Sequence, residues 1–438
     1  MAGITIGKLI FGKDDFFYGL ELCLHKAGRT AYPVNEKTVH GCDVLLVSLF
    51  WFLDVYHFER FLRESGLRHR KNRPIIIAGG MQCTVTPRLV AEMVDYVFIG
   101  DGDDHLGAIL DQIEAGEKPS CEHLITRESE RIPPPAECNP SPFAQMQGTK
   151  RPILRIEIAR GCKYRCQFCL LSGLKPYREV DTEAILQLLD MYPKCPVSLF
   201  APERALHSGW KRIQEKILQQ GRMDLGQDAR LENIDTIEKH SVTFGLEGIS
   251  YRLRKSISKP FKEDFILEKL GRFVTNAKRI AFVSIYFIAD LPGEDQSDWD
   301  ELRRLFERIE SENWSRMLTL KPVLNPLSPK PFTKLADAVI HPFRPYGQIW
   351  KDFLRKGDAG QWGFRIVETM VWDCHLRVMD ALVHRGGPKA YQVIQKIPSS
   401  ILGKNVPTPM RKALAMEIIK ASEKAGIKPE IFGDLRED

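Results

Sequence analysis

The sequence predicts an α/β protein: a doubly wound, Rossmann-like parallel sheet at the N-terminal end, a second strand–helix array in the middle, and a mostly helical C-terminal region. Three observations carry this. Short, nearly continuous apolar runs such as Asp43–Leu49 (DVLLVSL) lack the alternation of a half-exposed strand and suit strands buried on both faces. Segments with helical apolar spacing lie between them, and strand–helix alternation is the mark of a parallel sheet. Gly79-Gly80 and Gly100-Asp101-Gly102 close two of the runs, where the chain must turn out of a sheet.

In order, the first 120 residues predict a strand over Ile4–Phe11, a helix over Phe17–Ala27, a strand over Asp43–Leu49, a helix over Phe52–Ser65, a strand over Pro74–Ala78, a helix over Pro87–Met93 and a strand over Tyr96–Ile99. Ligands of open α/β sheets sit beyond the carboxyl ends of the strands. Ser48, Trp51, Gly79, Gly80, Gln82, Thr84, Gly100 and Asp101 are therefore expected to line a crevice. Residues 121–150, with Pro133-Pro134-Pro135 and no apolar period, predict an extended connector.

From 151 to 335 the expected strands are Ile153–Ala159, Val197–Phe200, Val242–Leu246, Arg279–Ala289 and Arg316–Lys321, with a further short one near Met223–Ala229. Helices are expected over Asp181–Met191, Trp210–Gln219, Asn233–His240, Lys262–Asn276 and Ser297–Ser311. Six such units fit a partial (β/α)6 TIM-like barrel open on one side, with its chemistry at the carboxyl ends of the strands. The proline-rich stretch Leu320–Thr333 predicts a rigid, non-helical loop. Residues 336–438 predict helices covering the open side and carrying Trp362, Trp372, Cys374, His375, His384 and Arg385.

A chain of 438 residues, 43% hydrophobic and 27% charged, has globular composition and room for two or three domains. No stretch approaches the length of a membrane-spanning helix, and the first residues lack a secretory pattern. Ten cysteines without disulfide-like spacing suit a reducing compartment, so a cytoplasmic location is expected. The net charge is +6, yet residues 1–150 hold 16 Lys+Arg against 20 Asp+Glu. The basic excess lies downstream, which is compatible with RNA as partner or with an ordinary solvated face.

Chemistry concentrates in one loop. Cys162, Cys166 and Cys169 follow the first barrel strand at Cys-x3-Cys-x2-Cys spacing, close enough for one loop to wrap a metal centre. A structural zinc site closes four positions. Three ligands imply a remote fourth, or a cluster with one iron left open, and the placement favours the open iron.

Arg160–Cys169 (RGCKYRCQFC), with Phe168 before the third cysteine, resembles the signature loop of the radical S-adenosylmethionine enzymes. The resemblance implies a 4Fe-4S cluster on the three cysteines whose open iron chelates S-adenosylmethionine, an electron donor such as flavodoxin or ferredoxin, and a 5'-deoxyadenosyl radical. It places Tyr164, Phe168, Glu203, Arg230, Glu247, Ile288 and Pro292 around S-adenosylmethionine. Glu203 would meet the methionine ammonium, Arg230 its carboxylate, Glu247 a ribose hydroxyl or the ammonium, and the Tyr286–Glu294 segment the adenine. Gly248 departs from the pattern, standing where serine is common.

The order of residues 74–110 resembles the cobalamin-binding domain of one branch of this family. That domain implies cobalamin across Ser48, Trp51, Gly79, Gly80 and Gly100. Its histidine motif is missing, since FGKDDFF stands at 11–17. Phe50, Trp51 and Phe52 are expected to shield the cobalt instead. Two functional classes follow: a radical enzyme acting on a small or macromolecular substrate, either with cobalamin-dependent methyl transfer to carbon or by cobalamin-independent modification of tRNA, and a non-catalytic zinc or cluster protein that binds nucleic acid. Methylthio transfer is not expected, because Cys23, Cys42, Cys83, Cys121 and Cys138 do not match the arrangement for a second cluster.

Overall fold

Val44–Val47 are buried to the last residue, and this apolar run forms a central strand flanked on both sides. The computed structural model describes residues 3–11, 18–69, 73–148, 152–192, 194–226, 228–237, 239–277, 279–355, 361–369, 371, 373–398 and 406–436. Residues 12–17 of the FGKDDFF stretch and Trp372 lie outside them. The chain divides into two compact units, Met1–Asn139 with His375–Phe432, and Pro140–Cys374 with Gly433–Asp438.

The first unit begins with β1 (Ile6–Ile10), α1 (Tyr18–Lys26), β2 (Tyr32–Pro33), β3 (Val44–Ser48), α2 (Phe52–Glu64), β4 (Ile75–Gly79), α3 (Met81–Val85), α4 (Pro87–Val90), β5 (Tyr96–Phe98), α5 (Leu106–Glu114) and β6 (Leu124–Ile125). Its sheet runs β2-β1-β3-β4-β5-β6, parallel except for the antiparallel β6. Ile10, Ser48 and Gly79 are level across three strands. The helix expected over Pro87–Met93 is the shorter α4, ending at Val90, with α3 as an additional helix before it; Thr86, at φ −131 and ψ 53, separates the two, and Pro87 opens α4 where its missing N–H costs nothing.

The second unit holds β7 (Ala144–Gln147), β8 (Ile153–Glu157), β9 (Ala159–Arg160), α6 (Leu170–Leu174), β10 (Arg178–Glu179), α7 (Thr182–Met191), β11 (Val197–Phe200), α8 (Trp210–Gln219), β12 (Ser241–Gly248), α9 (Tyr251–Ser256), α10 (Glu263–Asn276), β13 (Ala281–Ala289), α11 (Gln296–Ser311), β14 (Leu318–Pro326), α12 (Tyr346–Leu354) and β15 (Arg365–Ile366). One sheet runs β11-β8-β7, another β12-β13-β14-β15. Pairing in these two sheets is parallel except at β7, and β9 and β10 form a separate antiparallel pair. Two isolated parallel bridges, Val197 to Asp224 and Asp228 to Thr243, link β11 and β12 through the segment where a short strand is expected.

Three expectations need correction. The 121–150 connector is not wholly extended spacer, because β6 and β7 lie in it and pair with β5 and β8. Asn233–His240 is no α-helix; a 3-10 segment occupies Leu231–Thr236. The rigid loop starts later than Leu320, since β14 runs on through Pro322 to Pro326. Among the described residues the short β15 pairs only with Thr319 and Leu320, so these prolines sit where β14 has no outer strand partner among them. The C-terminal helices are α13 (Cys374–Arg385), α14 (Ala390–Ile394) and α15 (Thr408–Lys424). Residues 375–432 cluster with the first unit, where the Tyr56 hydroxyl donates to the Met379 carbonyl at 2.8 Å.

Candidate functional site

The cysteine loop owes its shape to Gly161. Its φ is +76, and a Cβ there would stand 2.1 Å from the Pro176 carbonyl oxygen. The chain therefore leaves β9 in a left-handed turn that only glycine adopts cheaply. Cys162, Cys166 and Cys169 follow, with the Cys169 N–H donating to the Cys166 carbonyl at 3.2 Å. Cys166 is buried and the other two half-buried. Burial pushes the Cys162 and Cys166 thiols up, opposed at Cys166 by the Lys259 and Arg230 charges. Among the described residues, no trio of His, Cys, Asp or Glu side chains has closed on a metal position. The donor set fits an iron–sulfur centre all the same: three sulfurs on one loop, electrostatically coupled, with two cations at the most buried one.

The loop is pinned from two sides. Gln167 N–H donates to the Ile257 carbonyl at 3.3 Å, and its side-chain amide reaches Ser258 Oγ at 2.9 Å. The Gln167 carbonyl accepts from Lys334 N–H at 3.1 Å, tying the segment after β14 to the loop.

Arg230 is held on every side. Its backbone N–H donates to the buried Glu203 carboxylate at 2.7 Å. Its guanidinium lies 3.6 Å from the Tyr164 ring centroid, pairs with Glu232 at 3.0 Å, and directs Nη1 at Cys166 Sγ at 3.7 Å. Glu203, pushed up by burial, also caps the turn after β11 through Ala205 N–H at 3.1 Å. Both residues thus already have local partners.

Glu247 stands at φ +66, beside a bulge in β12 between Gly245 and Glu247. Its carboxylate accepts from Lys259 at 3.0 Å, and Lys259 also donates to the Gly245 carbonyl at 2.9 Å. The Lys259 ammonium lies 5.8 Å from the Phe168 ring centroid, so Glu247 reaches the cysteine loop through one lysine. The glycine at 248 has a local cause: a Cβ there would lie 2.4 Å from the Arg254 backbone nitrogen. Ile288 is half-buried on β13, level with Gly248, while Pro292 is exposed beyond the strand end.

In the first unit Ser48 and Gly79 end adjacent strands, and a Cβ on Gly79 would meet nothing within 4 Å. Trp51, 45% exposed, precedes α2. Gly80 and Gly100 have structural reasons of their own. Each has positive φ, and a Cβ would stand 2.6 Å from the Leu49 carbonyl oxygen or 2.2 Å from the Ala136 nitrogen. Gln82, Thr84 and Asp101 are buried rather than lining a crevice; Gln82 donates to Thr86 at 2.8 Å, and Thr84 Oγ1 accepts from Gly100 N–H at 3.0 Å. Phe52 is likewise buried, leaving Phe50 and Trp51 as the exposed aromatics beyond β3.

Sequence reasoning missed Lys259 and the Asp290–His341–Tyr346 cluster beyond β13. Asp290 is buried at φ +65 and accepts from His341 Nδ1 at 2.6 Å and from the Tyr346 hydroxyl at 3.1 Å. An acidic residue directly after a strand expected to end at Ala289 was the available signal.

The fold and the cysteine loop together define a two-unit α/β protein with a thiol-rich loop at the carboxyl end of a parallel strand. Residues 25–131 match the family model "Radical SAM proteins, N-terminal". An uncharacterised protein of Methanocaldococcus jannaschii is 23% identical over 68% of this chain and 69% of its own length. The ribosomal protein uS12 methylthiotransferase RimO of Prochlorococcus marinus is 26% identical over 37% of this chain, which spans about a third (34%) of that relative. Among solved structures, the radical S-adenosylmethionine methyltransferase TsrM from Kitasatospora setae, with cobalamin and a 4Fe-4S cluster bound, superposes with a TM-score of 0.57 at 15% identity, covering 77% of this chain and 74% of that one. Residues 25–131 are thus similar to the N-terminal part of radical S-adenosylmethionine proteins, and the likeness to TsrM is one of fold.

Proposed function

We propose that the protein is a radical S-adenosylmethionine enzyme in which Cys162, Cys166 and Cys169 hold a 4Fe-4S cluster and the N-terminal sheet holds cobalamin for methyl transfer to carbon. The observation that carries this is the position of the three-cysteine loop, directly after β8 and β9, where barrel enzymes place chemistry. The bridges at Asp224 and Asp228 support reading β8, β11, residues 224–228, β12, β13 and β14 as one partial (β/α)6 barrel over 151–335. The sheet of residues 1–120 reads as the Rossmann-like cobalamin-binding domain. TsrM, which shares the fold, was solved with both cofactors.

When bound, the cluster supplies the electron that opens S-adenosylmethionine to a 5'-deoxyadenosyl radical, and the corrinoid a methyl group. The chain's own residues bind and orient. Gly161 shapes the loop, Gln167 anchors it, Tyr164 and Phe168 give it an apolar surround, and Glu247 and Ile288 offer contacts to the nucleoside. Ser48, Gly79 and Trp51 offer a flat surface for a corrin. The electron comes from a one-electron donor such as flavodoxin or ferredoxin.

A second reading is cobalamin-independent modification of tRNA or another macromolecule. It is favoured by Gly80 and Gly100, whose contacts with Leu49 and Ala136 demand glycine without any corrin. Anaerobic purification decides between these readings. The expected outcome is about four irons per chain, matched by sulfide, retained corrinoid after desalting, and 5'-deoxyadenosine on reduction with S-adenosylmethionine. Iron without corrinoid selects the second reading; zinc without iron overturns both.

A further inference from the structure

The proposed cofactor set leaves one residue with a role different from the expected one. Arg230 is the expected carboxylate clamp for S-adenosylmethionine, but its hydrogen bonds are already committed. Nε and Nη2 pair with Glu232 at 3.2 and 3.0 Å, and the guanidinium plane lies 3.6 Å from the Tyr164 ring centroid. The backbone is fixed by Glu203 at 2.7 Å. That frame aims Nη1 at Cys166 Sγ, 3.7 Å away, within N–H···S distance.

We propose that Arg230 is a positioning residue for the sulfur of Cys166, tuning the reduction potential of the bound cluster rather than gripping a substrate carboxylate. The inference rests on the cluster reading above. Reduction adds one negative charge to an iron–sulfur centre, and cations or N–H donors at its sulfurs favour the reduced form. At Cys166 the effect is strong because that thiol is the most buried of the three, so solvent screens the Arg230 charge poorly. Glu232 works the other way, since it neutralises part of that charge from the far side of the guanidinium. Charge at position 230 and charge at position 232 therefore move the potential in opposite directions.

The test is a potentiometric titration followed by electron paramagnetic resonance on the full, anaerobically reconstituted chain without S-adenosylmethionine, paired with equilibrium binding of S-adenosylmethionine. Arg230→Gln is expected to shift the midpoint to a more negative potential, Arg230→Lys to fall between it and the wild type, and Glu232→Gln to shift the midpoint upward. A merely structural role would move the first and third variants in the same direction. An unchanged midpoint in Arg230→Lys and Glu232→Gln, together with lost S-adenosylmethionine affinity in the arginine variants, restores the carboxylate clamp and overturns the proposal. Should Arg230→Gln assemble no cluster, the opposite shifts of the other two variants still decide. A wild-type chain that assembles no cluster overturns the cluster reading itself, an outcome distinct from a cluster whose potential ignores residues 230 and 232.

Discussion

Asp290 accepts a hydrogen bond from His341 Nδ1 at 2.6 Å while its own backbone stands at φ +65, a conformation a side chain makes costly. The carboxylate also takes the His341 N–H at 2.8 Å and the Tyr346 hydroxyl at 3.1 Å, so it ties the segment after β14 and the start of α12 to the end of β13. Strain and bonding separate by substitution. Asp290→Gly and Asp290→Ala both lose the three acceptor contacts, but only alanine keeps a Cβ in the left-handed region. Both variants are expected to be less stable than the wild type, and alanine less stable than glycine by about 1 kcal/mol. Urea unfolding midpoints measure the order; equal midpoints for the two would remove strain from the account.

Gly248 is the second backbone prediction. A Cβ there would stand 2.4 Å from Arg254 N and 2.6 Å from Leu253 C. Helix α9 cannot easily retreat, because the buried Arg254 side chain bonds the Phe261 carbonyl at 2.8 Å and the Gly248 carbonyl at 3.3 Å. Gly248→Ser is expected to cost about 1–3 kcal/mol, the usual range for overpacking. A serine variant as stable as the wild type would show that α9 shifts freely.

The Glu247–Lys259 pair gives a third. Their side chains are 16% and 9% exposed, so removing one partner strands the other charge. Lys259→Met alone is expected to destabilise by roughly 3–5 kcal/mol, and adding Glu247→Gln to recover part of that loss. Additive effects in the double-variant cycle would mean the two groups act independently. Iron content after reconstitution should fall in Lys259→Met, since Phe168 and the cysteine loop lose a neighbouring cation.

Local pattern disclosed what is local. The Trp210–Gln219 helix and the Val197–Phe200 strand have the boundaries their apolar spacing predicts, and the cysteine loop sits where its spacing and the preceding strand put it. What escaped reading depends on contacts far apart in sequence. Arg230 meets Cys166 across 64 residues, and Gly100 needs to be glycine because of Ala136. Nor does periodicity show that a two-residue strand such as β6 has a partner, or which unit the C-terminal helices join. Helix α5 was legible in principle from Leu106, Ile109, Leu110 and Ile113 at helical spacing, all four of them buried.

Glu294 supplies a pH dependence with a definite sign. Burial pushes its carboxyl from an ordinary 4.5 up to about 7, with Asp290 adding to the rise and Arg344 and the Trp299 indole N–H at 3.1 Å opposing it. The folded state then holds a proton that the unfolded chain releases. Between about pH 4.5 and about 7 the folded chain binds more protons, so stability falls as pH rises through this window and stays low above it. The full loss is roughly 3 kcal/mol by linkage. Glu294→Gln keeps an acceptor for the Trp299 N–H and cannot ionise. Its unfolding midpoint in urea should therefore match the wild type near pH 5 and exceed it near pH 8, the gap opening through the window. Curves for the two proteins that stay parallel from pH 5 to pH 8 would show that Glu294 titrates as an ordinary carboxylate and that β13 ends in a more hydrated environment than its burial implies.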